Sequence, residues 1–484
     1  MTVRISFWLG VLALATLAGC ASRPINEPIN QVDRKVGYRL ETRAAYHNEG
    51  DTLIILAFSG GGTRAAAFSY GVLEELRRTE LVVDGRKTRM IDEVDIVTGV
   101  SGGSFTALAF GLYGDKLFDN YEEQFLKRDV QHELIARVLN PVNWTKLWSK
   151  GYGRSELAAD YYDEILFHGA TFGDLTRIPG PWILATATDI STGSRLGFTQ
   201  TEFDMICSDI SSVKLSRAAA ASSAVPVVLS PVTLNNYGGT CSYKEPAWVR
   251  AVSDPNARSR PASRSVQRLK EMRAFQDGAN RPYLHLVDGG LSDNVGMRAV
   301  LEGFQQIEAS TSYRGASMID TVRRIAIFVV NARSNPSTDW DQSEWPPGDL
   351  QIILKAAGVP IDRYSYEAVE LLKDMVARWQ LARELRSSGA FANAGNSALA
   401  RTAANVPNID IFPIEISFEA LHDADERAYL MNLTTSFALP PEAVDRLRAA
   451  AGQVVRESAD FQALVRAMGA TGKPPPQPPS INVR

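Results

Sequence analysis

Three short motifs in the sequence carry residue types that suit acyl-transfer chemistry, and the first contains a serine. Residues 99–103 read G-V-S-G-G, which places Ser101 between glycines. This spacing matches the G-x-S-x-G nucleophile elbow, in which a sharp strand-to-helix turn lifts a serine hydroxyl out of the backbone. Gly99 and Gly103 allow neighbouring chain to approach the strained serine closely. The motif predicts a nucleophile at Ser101, although a glycine-rich turn with a serine helix cap has the same pattern.

The second motif is a run of three glycines, S-G-G-G-T-R at residues 59–64. Consecutive glycines at a helix start expose N–H groups, so Gly60, Gly61 and Gly62 are candidates for an oxyanion hole or a phosphate site. A nucleotide site is disfavoured, because no P-loop lysine follows and Ala65 stands where the dinucleotide fingerprint requires glycine. A tight turn without any ligand is the structural alternative.

The third motif is Asp288-Gly289-Gly290, which directly follows an apolar run. A carboxylate that is held rigidly and partly buried at a strand end suits a base that acts directly on a serine proton. On its own, Asp-Gly-Gly is a common turn. Asp288 therefore becomes a candidate partner of Ser101 only in combination with the other two motifs.

Alternating strand and helix patterns must position these motifs. The predicted strands span residues 53–58, 94–97, 182–188, 283–287, 324–330 and 409–416, and the predicted helices span 64–78, 104–113, 364–385 and 441–469. This alternation predicts an α/β fold with a mainly parallel sheet, built as one large domain over residues 51–470. Each motif follows a strand, and ligands gather at the carboxyl ends of the strands in such sheets.

The order and context of the three motifs resemble the patatin-like phospholipase family. The family pattern is an oxyanion loop G-G-G-x-[KR]-G, then a G-x-S-x-G elbow, then D-G-[GA], and residues 60–65, 99–103 and 288–290 follow this order. Residues 217–226, R-A-A-A-A-S-S-A-V-P, are similar to the family's helix of small residues that ends in A-S-x-A-x-P. The departure is Ala65 in place of the last loop glycine, inside a predicted helix where a methyl group is tolerated.

This resemblance implies a three-layer α/β/α fold and a Ser–Asp dyad that cleaves fatty acyl esters of membrane phospholipids or other lipids, in lipid catabolism. It implies that Asp288 takes the proton of Ser101 and that Ser101 forms an acyl-enzyme. The N–H groups of Gly60–Gly62 would stabilise the oxyanion, and losing one such donor costs about a hundredfold in turnover. Neither a cofactor nor a metal is expected. Arg64 either steadies the loop, attracts a lipid phosphate or is a surface charge.

Two alternatives to the dyad enzyme remain open in the sequence. A triad would require His422, which is the only histidine after Asp288 and so fits the chain order of the α/β-hydrolases. His285 is disfavoured as a direct partner, because residues three apart on a strand point to opposite faces. The second alternative is a catalytically silent lipoprotein that binds lipid with the same fold, since a fold does not determine a function.

The two ends of the chain are predicted to lie outside the folded body. Residues 1–20 combine Arg4, a short apolar stretch and Leu-Ala-Gly-Cys at 17–20, which resembles the lipobox of bacterial lipoproteins. Acyl chains on Cys20 would anchor the protein to a membrane. In the enterobacterial lipoproteins that this segment resembles, Asp after the cysteine retains the protein in the inner membrane, so the resemblance, with Ala21 at that place, implies the periplasmic face of the outer membrane. Residues 21–50 are predicted to be a tether, and the proline-rich residues 471–484 an extended tail.

Composition disfavours several other classes of protein. The 484 residues carry a net charge of -4 without long runs of one sign, so no nucleic-acid partner is expected. No stretch after residue 20 is apolar and long enough to span a bilayer. Residues 235–281 are predicted to be a long surface excursion, and the aromatic-rich residues 144–162 either touch lipid or, as is more common, belong to the core. Cys207 and Cys241 either pair in an export compartment or stay as buried thiols.

Overall fold

The computed structural model describes residues 22–43, 51–83, 85–246, 248–249, 263–309, 319–338, 340–388 and 406–469. The strands are β1 (Thr52–Phe58), β2 (Glu80–Val83), β3 (Arg86–Arg89), β4 (Val94–Val100), β5 (Trp182–Asp189), β6 (Ser194–Gly197), β7 (Val232–Asn235), β8 (Tyr283–Val287), β9 (Arg324–Asn331) and β10 (Asp410–Ser417). The helices of the first half are α1 (Leu40–Arg43), α2 (Gly62–Arg78), α3 (Gly102–Tyr113), α4 (Leu117–Tyr121), α5 (Val130–Leu139), α6 (Pro141–Leu147), α7 (Arg154–Tyr162), α8 (Phe172–Arg177), α9 (Gln200–Phe203) and α10 (Leu215–Ser222). Those of the second half are α11 (Ser263–Gln276), α12 (Gly290–Asp293), α13 (Arg298–Ala309), α14 (Asp349–Ser387), α15 (Ala424–Met431), α16 (Pro441–Glu457) and α17 (Ala459–Ala467).

An eight-stranded sheet forms the middle layer, in the order β10-β9-β1-β4-β5-β8-β7, with β6 paired to β5. The five strands from β10 to β5 run parallel. Strand β1 shows why this sheet needs two helical layers: alternate side chains enter different cores, with Leu56 and Phe58 in one and Ile55 and Ala57 in the other. The predicted three-layer α/β/α fold is confirmed.

The two cores are closed by different sets of helices. On one face, helices α2, α3 and α16 contribute the buried side chains of Phe68, Phe105 and Leu447. On the other face, α13 and α14 contribute Phe304 and Trp379, whose ring centroids lie 5.3 Å apart. Burying one such side chain contributes about 1.5–3 kcal/mol, so the two faces together hold the sheet and the turns at its edge in place.

Strand β8, which leads to the third motif, is an antiparallel strand in a sheet that the sequence predicted to be mainly parallel. It runs antiparallel to β5, and only its last two residues pair with that strand, Val287 opposite Thr188 and Leu286 opposite Asp189. Because these pairs lie at the end of both strands, β8 extends beyond the carboxyl edge of β5 and points back towards it. Asp288 therefore reaches the same edge as the ends of the parallel strands.

Two helices differ from their predicted bounds for reasons of local chemistry. The helix predicted at 364–385 begins fifteen residues earlier, at Asp349, and includes Pro360. The sequence suggested a later start because proline lacks an N–H group and usually ends or kinks a helix. The helix predicted at 441–469 is two helices, because Ser458 adopts an extended backbone and its side chain caps the second one by accepting from the N–H of Phe461.

Residues 22–43, which were predicted to be part of a solvated tether, instead pack against the body. Tyr38 is fully buried, and its hydroxyl oxygen accepts from the N–H of Ile183 in β5 at 2.7 Å. Arg39 forms a buried ion pair with Asp204 at 2.6 Å. The tether prediction failed because a polar, proline-containing composition does not exclude specific buried partners. Residues 44–50, the predicted signal segment with Cys20, and the tail at 471–484 lie outside the described residues.

The predicted surface excursion at 235–281 also contains packed structure. Helix α11 buries Leu269, Met272 and Phe275. Cys207 and Cys241, whose pairing the sequence left open, form a disulfide with a Cα–Cα distance of 5.4 Å. The arginine-rich sequence hid the apolar face of α11, because Arg268 is buried and paired with Glu202 rather than solvated.

The aromatic-rich stretch at 144–162 divides between core and surface. Tyr152, Tyr161 and Tyr162 are buried, as the core interpretation predicted. Trp144 and Trp148 are exposed, contrary to it. Within the ranges given above, no helix has the length and apolar character that a membrane crossing requires.

Candidate active site

Ser101 lies at the turn between β4 and α3, in the conformation that the G-x-S-x-G motif predicts. Its backbone has φ 48° and ψ −121°, a left-handed region that is strained for a residue with a side chain. The turn is tight because Gly102 lies against the glycine loop: a Cβ atom on Gly102 would stand 2.0 Å from the carbonyl oxygen of Gly62. The strained backbone is held by a buried hydrogen bond of 2.8 Å from the Ser101 N–H to the hydroxyl oxygen of Ser222.

Asp288 lies directly beside this serine. The Ser101 hydroxyl donates to Oδ2 of Asp288 at 2.8 Å. The other carboxylate oxygen, Oδ1, accepts from the N–H of Gly290 at 2.8 Å, which fixes the orientation of the carboxylate. The backbone of Asp288 is held as well, because its N–H donates to the carbonyl of Ala224 at 2.9 Å and its carbonyl accepts from the hydroxyl of Thr188 at 2.9 Å.

Burial makes Asp288 a stronger base than an ordinary aspartate. Removal from water raises the pKa of Asp288 from 3.8 to about 6, against the opposing effect of the hydrogen bonds from Gly290 and Ser101. The carboxylate is therefore ionised at neutral pH and able to accept a proton. Below about pH 6 it becomes protonated and loses that capacity.

The glycine loop adjoins the nucleophile, but its three N–H groups are not equivalent. The N–H of Gly60 donates to the carbonyl of Asn294 at 2.8 Å, so the prediction that Gly60 contributes to an oxyanion hole is wrong. The sequence could not reveal this, because Asn294 belongs to the turn after the third motif. Among the hydrogen bonds of the described residues, the N–H groups of Gly61 and Gly62 have no acceptor, and both lie at the start of α2, where helical N–H groups are unpaired.

Arg64 is buried and supports the loop rather than facing a ligand. It donates to the carbonyl of Ala332 and to that of Leu433, both at 2.8 Å, and to the hydroxyl of Thr435 at 3.1 Å. Burial lowers its pKa to about 10. Of the roles left open by the sequence, the structure supports the one that steadies the loop. Ala65, the departure from the family pattern, is fully buried in α2 and does not enter the turn.

Helix α10, the segment of small residues, connects the nucleophile with its base. Its last residue, Ser222, accepts from the N–H of Ser101, and the carbonyl of the same residue accepts from the N–H of Gly289 at 3.0 Å. Two residues later, Ala224 holds the N–H of Asp288. Sequence reasoning recorded the pattern of small residues but assigned no role to Ser222 or Ala224. Small side chains are the signal, since only they let three backbone segments meet at hydrogen-bond distance.

The two histidines that were considered lie apart from the Ser101–Asp288 pair. The side chain of His422 is 85% exposed, and its Nε2 lies 3.8 Å from a carboxylate oxygen of Glu457. His285 is exposed on β8 and contacts the hydroxyl of Thr233 through Nδ1 at 3.0 Å. In the described part of the chain, Ser101 is the one residue whose side chain donates to the carboxylate of Asp288. The geometry therefore supports a pair of groups and not a triad with His422.

The model of the family described as patatin-like phospholipase matches residues 56–301, a range that holds all three motifs. No curated protein matches the chain at a significant level. Among solved structures, the chain is similar to a human GIVD cytosolic phospholipase A2, with a TM-score of 0.42 and 11% sequence identity. That similarity covers 89% of this chain and 62% of the human one, so the chain spans less than two thirds of its length.

Proposed function

Since the chain belongs to the patatin-like phospholipase family, which makes it a lipid ester hydrolase in general terms, we propose that it is a serine acyl hydrolase working through Ser101 and Asp288. The proposed substrates are fatty acyl esters of membrane phospholipids, and the proposed role is in lipid catabolism. The observation that carries the proposal is the 2.8 Å hydrogen bond from the strained Ser101 to the buried Asp288.

In the first half of the proposed reaction, Asp288 accepts the hydroxyl proton while Ser101 Oγ attacks the ester carbonyl. The tetrahedral oxyanion accepts hydrogen bonds from the N–H groups of Gly61 and Gly62 and lies near the positive end of α2. When this intermediate collapses, the C–O bond to the leaving alcohol breaks and Asp288 returns the proton to the alcohol oxygen. The acyl group remains as an ester on Ser101.

In the second half, water takes the place of the alcohol. Asp288 removes a proton from the water as its oxygen attacks the acyl-enzyme carbonyl, and the same N–H groups stabilise the second oxyanion. Collapse releases the fatty acid and returns the proton to Ser101 Oγ. A pKa near 6 suits both directions of this transfer, because the carboxylate is ionised at neutral pH and still basic enough to hold a proton briefly.

The proposal is tested by comparing the wild type with Ser101→Ala, Asp288→Asn and His422→Ala on a chromogenic short-chain ester and on a labelled phospholipid. We expect the first two variants to lose activity by at least about 10⁴-fold, as for other residues that carry nucleophilic catalysis. The exposed His422 serves as the matched control and should retain full activity. Labelling by a serine-directed phosphonate should occur in the wild type and be lost in Ser101→Ala.

Each other outcome of this test would support a different function or mechanism for this protein. Loss of activity in all three variants would restore the triad with His422. A folded wild type that hydrolyses no ester and takes no phosphonate label would leave the alternative function, a silent lipoprotein that binds lipid. Hydrolysis of the short-chain ester without hydrolysis of phospholipid would keep the mechanism and replace the substrate.

We also propose that the protein is anchored by acyl chains on Cys20 at the periplasmic face of the outer membrane. The support is the Leu-Ala-Gly-Cys sequence at residues 17–20, and the disulfide between Cys207 and Cys241 is compatible with an exported protein. Incorporation of radiolabelled palmitate and fractionation of the envelope would test this. Label that is absent from the wild type, or that persists in Cys20→Ala, would refute it.

A further inference from the structure

Two consecutive surface helices near the proposed site bury almost none of their side chains. Helices α5 and α6, together with Trp148 and the single linking residue Asn140, are called here the 130–148 helix pair. Val130 is the one buried residue of α5, and α6 has none. A helix of a globular protein normally buries an apolar stripe against its own core. The apolar side chains of this pair therefore call for a surface outside the described protein.

The exposed side chains of the pair are large and close together in sequence. They are Ile135, Leu139, Val142, Trp144 and Trp148. Val142 is 77% exposed and Trp148 is 80% exposed, and the ring centroids of Trp144 and Trp148 lie 6.0 Å apart. Five large apolar side chains exposed within fourteen residues, two of them in ring contact, are more than the isolated exposed residues that are normal on a protein surface, and they favour a binding surface.

The charges around this patch are mainly basic, although acidic residues of the next helix compensate part of them. No acidic residue occurs between Glu133 and Glu156 in the sequence, whereas four basic residues do: Arg137, Lys146, Lys150 and Arg154. In the structure, Arg137 pairs with Glu164 at 2.7 Å and Lys146 lies 3.5 Å from Asp160. Among the ion pairs of the described residues, Lys150 and Arg154 have no acidic partner, so they supply a local excess of positive charge in a chain whose net charge is -4. Basic residues that alternate with tryptophan and aliphatic side chains on a surface helix are typical of segments lying in the interface of an anionic bilayer.

The helix pair is attached to the glycine loop of the proposed site at its first end. The N–H of Gln131 donates to the carbonyl of Phe437, and the side-chain oxygen of Gln131 accepts from the hydroxyl of Ser436 at 3.0 Å. The carbonyl of Ser436 in turn accepts from the N–H of Thr63 at 2.8 Å. Two residues of one short segment thus separate the start of α5 from the loop that contains Gly61 and Gly62.

The other end of the helix pair leads to the segment that holds the nucleophile and base. The N–H of Ser155 donates to the hydroxyl of Ser230 at 3.1 Å, and the Ser155 hydroxyl donates to the Ser230 carbonyl. Between Ala224, which holds Asp288, and Ser230 lie two further exposed apolar side chains, Val227 and Val228. The first end of the patch is therefore connected to the glycine loop by hydrogen bonds, and the chain beyond its second end is bonded to the segment that follows Ala224.

We propose that the 130–148 helix pair docks on the surface of an anionic phospholipid bilayer, with Val142 and Trp148 entering the headgroup region, and that this docking presents the bilayer to the site at Ser101. The inference rests on the proposed function and adds the surface through which the substrate is reached. The docking is independent of the anchor proposed at Cys20, which would keep the protein near a membrane without orienting it.

The first experiment places an environment-sensitive fluorophore on the full chain at Val142→Cys. Cys207 and Cys241 are paired, so a new thiol at 142 can be labelled selectively, and the unsubstituted chain measures any background. Phosphatidylglycerol vesicles should shift the emission to the blue and raise its intensity, and phosphatidylcholine vesicles should do so less. Trp345→Cys, at an exposed tryptophan far from the helix pair in sequence, is the matched control and should not respond.

The second experiment measures how much the surface contributes to catalysis at an interface. We expect Trp148→Ser to raise the ratio of the KM for phosphatidylglycerol vesicles to the KM for a water-soluble ester by about tenfold or more, from the lost apolar contact. Lys150→Glu should raise this ratio by about fivefold or more at low ionic strength and less in high salt. Trp345→Ser should leave it unchanged.

The outcomes separate this inference from the proposed function. A fluorophore at 142 that responds to neither vesicle overturns the docking, even if the ester is hydrolysed. A response that appears without vesicles and depends on protein concentration also overturns it and assigns the surface to a second copy of the chain. If the fluorophore responds to vesicles but the wild type hydrolyses no ester, the docking stands and the proposed function fails.

Discussion

Replacing Asp288 with asparagine should make the protein more stable at neutral pH while removing its activity. The charged carboxylate is buried, and its pKa in the folded protein is about 6 rather than 3.8. A change of one in pKa corresponds to 1.36 kcal/mol, so holding the carboxylate ionised costs about 3 kcal/mol of folding free energy at neutral pH. Asparagine removes this cost and keeps an oxygen that can accept from the N–H of Gly290.

The gain in stability should depend on pH in one direction. Because the folded protein disfavours the charged form, the cost is absent below about pH 4, where Asp288 is protonated in both states. It grows as the pH rises towards about 6 and is complete above that value. We therefore expect the free energy of unfolding of Asp288→Asn to exceed that of the wild type by about 3 kcal/mol near pH 7, and by almost nothing near pH 4.

Urea unfolding of both proteins across this pH range, followed by tryptophan fluorescence, measures the difference. Asp95 provides a matched control at the opposite end of β4 from Ser101. Burial raises the pKa of Asp95 to about 7, and its carboxylate accepts from the N–H of Ile54 at 2.8 Å. Asp95→Asn should therefore gain stability with the same pH direction and keep its activity. If Asp288→Asn is no more stable than the wild type near pH 7, burial does not perturb Asp288 and the argument from its pKa is refuted.

Three further predictions follow: two concern residues that hold the site, and the third concerns the disulfide. Ser222→Ala removes the acceptor of the Ser101 N–H. Steady-state kinetics should show that kcat falls by up to about tenfold while KM changes little, because the strained turn loses a hydrogen bond and the substrate loses no contact. Gly62→Ala should lower kcat on the soluble ester by about a hundredfold or more. A Cβ atom at residue 62 would lie 2.3 Å from the backbone carbonyl oxygen of Ser436, and the φ of 60° at this residue is strained for alanine. Reduction of the disulfide between Cys207 and Cys241 should lower the free energy of unfolding by about 2–4 kcal/mol. Urea unfolding with and without dithiothreitol measures this difference. Cys207→Ser is the control, because the reductant should no longer change its stability.

The sequence predicted the local backbone geometry of the elbow and of the strands well. The elbow at Ser101 depends on glycines at adjacent positions, and the conformation at that residue follows from the strand before it and the helix after it. The strands were recognised because a parallel sheet covered on both faces needs nearly continuous apolar runs, as in β1. These features require no knowledge of distant residues.

Several predictions failed because they depended on partners far away in sequence. The N–H of Gly60 donates to the carbonyl of Asn294 and so is not a free oxyanion donor. The role of Arg64, which the sequence left open, is decided by acceptors more than two hundred residues away. The tether at 22–43 packs because Arg39 meets Asp204. A polar residue or a free N–H group has the same local signature whether it faces solvent or a buried partner, so sequence pattern alone cannot assign it.

The proposed mechanism has no histidine, and the structure gives a physical reason why none is needed. Imidazole suits a general base because its ordinary pKa, about 6.5, lies close to neutral pH, whereas that of a solvated aspartate is too low. Burial brings Asp288 to about 6, into the range of a histidine. In a triad, a third residue orients the imidazole; here the N–H of Gly290 orients the carboxylate, and the backbone contacts with Ala224 and Thr188 hold it. One buried carboxylate can thus combine the basicity and the positioning that a triad divides between two side chains, at the expense of the folding stability that Asp288→Asn is predicted to restore.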